Sequence, residues 1–179
     1  MKFYNLILDR SGSMSTIWNE ITSAVNKNLE RKSADSLCSL QLFDTNCFEY
    51  LFKYESEPQY LNKNNFNPRG GTPLRDAIMT GVETLVKDFG DYLYQDGVEV
   101  EFVIFTDGQE NESRLWTSKD VARAINHFES EYGWKFTFIG QGSASDVQNY
   151  AREYGIKSEN TVSYTQAKEL AKAFAQVWR

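Results

Sequence analysis

Phe102-Val103-Ile104-Phe105 is apolar at every position, and the run ends abruptly in Thr106-Asp107-Gly108. A strand of this kind buries both of its faces, as happens in the middle of a parallel sheet covered by helices on either side. Parallel neighbours cannot be joined by a tight turn; they need long crossovers, usually helical. The periodicity of the remaining chain supplies them. Phe3 to Leu8 is a second apolar run, broken only by Asn5, and it ends in Asp9. Met14, Ile17, Trp18, Ile21, Ala24, Val25 and Leu29 then recur at helical spacing to about Arg31. Trp18 falls on that stripe, which assigns it to core packing. Leu74, Ala77, Ile78, Gly81, Val82, Leu85, Val86 and Phe89 form a second helical stripe.

Other segments fill the pattern. Residues 36–43 and 47–54 read as two strands joined by a hairpin at Asp44-Thr45-Asn46, which makes the pair antiparallel. Residues 55–71 are an irregular connection, with a short extended piece expected at 59–61. Thr117 and Asp120 have capping-box spacing and open a third helix. A strand at 134–139, a helix begun by Ser143-x-x-Asp146, a strand at 160–164 and a helix from about Gln166 complete the chain. Such alternation predicts an α/β fold. The expected form is a doubly wound, mostly parallel six-stranded sheet with one antiparallel edge strand and helices on both faces. A chain of 179 residues favours one domain, 1–179.

Chemistry concentrates at the carboxyl edge of that sheet, where open α/β folds bind ligands. Asp9, Ser11 and Ser13 lie on the loop after the first strand. Thr72 lies on the glycine-rich loop Arg69-Gly70-Gly71-Thr72-Pro73-Leu74, and Asp107 follows the fourth strand. Two carboxylates and three hydroxyls are hard oxygen donors, the kind that suits Mg²⁺. Each piece also has a plain structural reading. Asp9 and the serines can cap the next helix, Thr72 can be an N-cap with Pro73 at the first helical position, and Asp107-Gly108 is a common turn pair.

Taken together, Asp9-x-Ser11-x-Ser13, Thr72 in Gly-Gly-Thr-Pro-Leu, and Asp107-Gly108 resemble the metal-ion-dependent adhesion site (MIDAS) of von Willebrand factor A domains. All five ligand positions of that family are matched in order. The resemblance implies a Rossmann-like fold and a Mg²⁺ site, with Mn²⁺ or Ca²⁺ as substitutes. It implies that a protein partner completes the metal's coordination with an Asp or Glu side chain. It also implies that the strands carrying Asp9 and Asp107 are central neighbours.

The charge count supports the same mechanism. Asp9 and Asp107 together carry two negative charges, which a divalent cation cancels, and the hydroxyls add none. Around them in sequence stand Arg10, Arg69, Gln109, Glu110, Asn111 and Glu112, expected as rim groups that steer a partner.

Several function classes are disfavoured. The formal net charge of −6, with no basic cluster, opposes binding to nucleic acid or anionic membranes. No apolar stretch approaches the ~20 residues of a membrane span. The chain passes from Met1-Lys2 directly into the first strand without a signal peptide, so a cytoplasmic protein is expected; separately, a monomer is expected. Cys38 and Cys47 sit on adjacent strands several positions out of register, and both are expected to be reduced. A phosphohydrolase using Asp9 as nucleophile is the competing enzyme reading, but Ser11 stands where its second acid is needed. The lone His127 falls off its helix's apolar stripe and is expected at the surface, leaving no evident base for a serine nucleophile. Within the binding class, a secreted adhesion domain lacking its leader is the alternative to a cytoplasmic adaptor.

Overall fold

The computed structural model describes residues 1–107 and 110–178, and of Cys47 only the backbone. Its strands are β1 (Lys2–Asp9), β2 (Ser36–Asp44), β3 (Cys47–Glu55), β4 (Glu99–Thr106), β5 (Lys135–Gln141) and β6 (Thr161–Tyr164). They form one six-stranded sheet in the order β3-β2-β1-β4-β5-β6. All neighbours are parallel except β2 and β3, the hairpin pair at one edge. The expected fold is observed.

The helices are α1 (Trp18–Glu30), α2 (Leu74–Phe89), α3 (Ser118–Tyr132), α4 (Ala144–Arg152) and α5 (Leu170–Phe174). Alternate residues of the central strands feed two separate cores. Leu6, Leu8, Val103 and Phe105 meet Met14, Ile21, Val25 and Phe174 on the side of α1 and α5. Phe3, Ile7, Phe102 and Ile104 meet Ala77, Ile78, Val121, Ile125 and Val147 on the side of α2, α3 and α4. The period-two geometry of a strand makes this division unavoidable once both faces are covered. Each fully buried Phe or Ile contributes about 1.5–3 kcal/mol by leaving water.

Local signals behave as the residue types require. Thr117 and Asp120 form a reciprocal capping box at α3, and the Ser143 hydroxyl accepts from the Asp146 amide at the start of α4. Trp18 is half-buried against the core, and His127 is exposed.

Three features differ from expectation. Residues 59–61 are not a strand; Leu61 is instead held by Asn26, whose amide group both accepts from its N–H at 2.8 Å and donates to its carbonyl at 2.9 Å. A short 3₁₀ turn at Gly90–Tyr94 follows α2. The last helix is only five residues, preceded by a 3₁₀ turn at Ala167–Glu169. Beyond it the tail is anchored, with Trp178 stacked on Tyr4 at 5.3 Å.

Cys38 is a free, buried thiol, and burial pushes its pKa up to about 11. It lies opposite Glu55, at the far end of β3 from Cys47, whose side chain is outside the described residues. Among the described residues no helix is long and apolar enough to cross a membrane.

Candidate metal centre

Strand order reverses between β1 and β4: β2 and β3 lie to one side, β5 and β6 to the other. The crevice at such a switch point is the ligand site of doubly wound folds. Leu8 aligns with Phe105, so Asp9 and Asp107 emerge from adjacent strands at the same edge.

A continuous hydrogen-bonded run joins four of the expected residues. Asp9, fully buried, accepts from the Ser11 amide at 2.6 Å through Oδ1. Ser11 and Ser13 share a hydrogen bond between their Oγ atoms at 3.1 Å. Ser13 Oγ donates to Asp107 Oδ1 at 2.9 Å. The other Asp9 oxygen, Oδ2, accepts from Thr106 Oγ1 at 2.6 Å.

The capping explanation of these residues does not hold. Ser11 stands at the N-cap of the 3₁₀ turn Gly12–Thr16, but its side chain makes no capping bond. Nor does the Ile17 N-cap give α1 a side-chain cap. Thr72 is likewise not the N-cap of α2; Pro73 is, without a side-chain capping bond. The three hydroxyls therefore stand at helix entrances without serving as caps there.

Thr72 reaches the edge by backbone contacts. Arg69 N donates to the Arg10 carbonyl at 2.7 Å, and Gly12 N donates to the Gly70 carbonyl at 2.9 Å. Gly70 has φ +70°, and a Cβ there would stand 2.8 Å from Thr45 Oγ1, so glycine is required twice over. Thr72 itself is buried and clamped by Asn111, whose side chain accepts from its amide at 2.9 Å and whose own amide donates to its carbonyl at 3.2 Å. The Thr72 hydroxyl forms no hydrogen bond to Asp9, Ser11, Ser13 or Asp107.

Electrostatically the site is short of positive charge. Burial pushes the Asp9 carboxyl up to about 6, despite hydrogen bonds from Ser11 and Thr106, and the charge of Asp107 adds to the rise. Burial raises Asp107 too, against the Ser13 hydrogen bond. The arginines expected as rim groups lie elsewhere. Arg10 is buried and holds Asp44 at 3.1 Å, and Arg69 holds the same carboxylate at 2.9 Å. Burial raises the Asp44 pKa, but the Asn46 amide and both guanidiniums outweigh it and hold that carboxyl below its usual range.

The loop after Asp107 also departs from expectation. Gly108 and Gln109 lie outside the described residues. Glu110 is a scaffold, not a steering charge: its carboxylate accepts from the amides of Arg75, Glu112 and Ser113 at 3.1, 2.9 and 2.5 Å. Its own amide donates to the Tyr150 hydroxyl. Asp76, on the first turn of α2, accepts from the amides of Arg114, Leu115 and Trp116 at 2.8, 3.2 and 3.2 Å. The Glu112 carboxylate lies over Gly71. Held this way, Leu115 projects with 70% of its surface exposed.

Thr106 and Asp76 were not singled out in the sequence, and Asn111 was expected only as a rim group, not as the clamp on Thr72. Only Thr106 carried a signal there, as a hydroxyl closing an otherwise apolar strand directly before an acid.

The donor set is two desolvated carboxylates with hydroxyls between them. Among the described residues, no group of three or more His, Cys, Asp or Glu side chains is placed to hold a metal. The donors at the strand ends are carboxylate and hydroxyl oxygens, a set that fits a hard cation such as Mg²⁺.

No protein-family model matches this chain, and no curated protein sequence does. Solved structures do. A von Willebrand factor type A protein from Catenulispora acidiphila superposes with a TM-score of 0.68 at 14% identity, over 99% of this chain and 42% of that one. Proximal thread matrix protein 1 from the mussel byssus, with a zinc-occupied MIDAS motif, gives 0.68 at 14% identity, over 99% and 44%. The SpRpn10 VWA domain gives 0.66 at 16% identity, over 98% and 94%. This chain spans under half the length of the first two. At these identities the likeness is one of fold, and the fold is that of von Willebrand factor A domains.

Proposed function

We propose that this chain is a single, non-enzymatic protein-binding module that holds Mg²⁺ and captures a partner's Asp or Glu side chain through it. Asp9, Ser11, Ser13, Thr72 and Asp107 would hold the cation. The observation that carries this reading is the run from Asp9 through Ser11 and Ser13 to Asp107, with both carboxyls raised in pKa by burial. Two acids brought together, one fully buried and one partly, are costly without neutralisation unless a cation joins them. A bound divalent cation supplies a Lewis-acidic centre with coordination places left to water, and a carboxylate can take one of these. The residues do the rest. Asp9 and Asp107 cancel the metal's charge, the hydroxyls orient it, and the Thr72–Asn111 clamp sets the loop a partner would meet.

Exposed Leu115, on the loop fixed by Asp76, offers a partner an apolar contact. We place the module in the cytoplasm as an adaptor, a reading supported by the free Cys38 thiol.

The test is thermal unfolding with and without Mg²⁺, followed by capture of partners with Mg²⁺ and then with chelator. Mg²⁺ should raise Tm by mass action, and Asp9→Ala should abolish the increment while the protein still folds. Capture that persists in chelator would overturn the mechanism. Mg²⁺-dependent hydrolysis of a phosphate ester, lost in Asp9→Asn, would restore the enzyme reading.

A further inference from the structure

Tyr164 ends β6 and is 1% exposed. Its hydroxyl is buried and has no hydrogen-bond partner among the described residues. Register puts it level with the site. Thr106 aligns with Gly140 across β4 and β5, and Gln141 aligns with Tyr164 across β5 and β6. Tyr164 is thus in the same row as Asp107, two strands away. Its ring lies nearly parallel to Phe105, with centroids 5.7 Å apart and planes at 13°. The charges of Asp107 and Asp9 both bear on the phenol.

A buried hydroxyl without a partner is a liability, and most such groups in folded proteins are satisfied. Asp107, in the same row of the sheet, carries acceptor oxygens of the kind this hydroxyl lacks. We propose that Tyr164 is a positioning residue of the metal centre: its hydroxyl donates to a water held on the Asp107 side when a divalent cation is bound, fixing that water and the carboxylate beside it. This inference rests on the metal-binding reading above. It adds a residue on β6, outside the three loops, and makes the edge of the sheet part of the centre. Groups in this position orient metal-bound oxygens and are sensitive to removal.

The experiment uses the full chain with Mg²⁺, and Mn²⁺ in parallel, as probes. Tyr164→Phe removes one oxygen and keeps the packing on Phe105. Without metal its Tm should equal or exceed that of wild type, because an orphaned hydroxyl has gone. Its Mg²⁺ affinity by calorimetry should fall roughly tenfold. The tyrosine ultraviolet difference signal on adding Mg²⁺ should also shrink. Tyr164→Leu, which loses the ring, should lower Tm without metal and so separates packing from the hydroxyl's role. Wild-type Mg²⁺ affinity in a folded Tyr164→Phe would overturn the inference and leave the five-residue site standing. Asp9-independent Mg²⁺ binding, or none in wild type, would overturn both.

Discussion

Thr106 Oγ1 donates to Asp9 Oδ2 at 2.6 Å, tying the last residue of β4 to the last residue of β1 across the strand pair at the centre of the sheet. Asp9 is fully buried, so each donor it keeps offsets part of the cost of its charge. Thr106→Val preserves shape and removes this donor. The expected result at pH 7 is a loss of about 1–3 kcal/mol in urea unfolding, with weaker Mg²⁺ binding. Unchanged stability would mean the Ser11 amide alone suffices.

The raised Asp9 carboxyl sets a pH dependence of known sign. Its folded pKa of about 6 lies above the ordinary 3.8. Between these values the folded protein holds more protons than the unfolded one. The contribution of Asp9 to metal-free stability is therefore present in acid and is lost as pH rises through about 6. Mg²⁺ needs the carboxylate and shows the opposite trend, with affinity falling up to about tenfold per pH unit below about 6. Tm measured from pH 4.5 to 8, with and without Mg²⁺, checks both trends. Asp9→Asn should flatten them.

Thr72→Ala separates metal from partner. Thr72 caps nothing, so the fold should lose only the burial of one methyl group, about 1 kcal/mol. One neutral oxygen at the edge disappears and the net charge is unchanged. Binding of a captured partner in saturating Mg²⁺ should weaken more than Mg²⁺ binding itself, as parallel titrations of wild type and variant would show.

Asp76 holds the rim from the first turn of α2. Its carboxylate, itself buried, serves three successive loop amides, and an acceptor shared by several N–H groups is costly to remove. Asp76→Ala should lower stability by about 2–4 kcal/mol. Hydrogen exchange at Arg114, Leu115 and Trp116 should accelerate while the central strands remain protected. Partner binding should fall with Mg²⁺ affinity nearly intact.

What the sequence determined by itself is set by local rules. Doubly apolar runs at residues 3–8 and 102–105 require a covered parallel sheet, helical spacing supplies the crossovers, and Thr117–Asp120 and Ser143–Asp146 mark helix starts through bonds spanning three residues. Asp9, Ser11, Ser13 and Asp107 could be expected at one sheet edge because each ends a strand or follows one, and hydrogen bonds join these four there, while the Thr72 hydroxyl bonds to none of them. Partner choice among polar groups belonged to the tertiary structure. Arg10 and Arg69 neighbour Asp9 and Thr72 in sequence, yet both turn to Asp44, at the end of another strand. Glu110 and Asp76 are ordinary surface acids by sequence, and they become the scaffold of a loop because α2 passes beneath it. Thr106 and Tyr164 acquire their places only through strand register. A hydrogen bond depends on position to within a few tenths of an ångström, and residues distant in sequence reach that precision only once the sheet has formed.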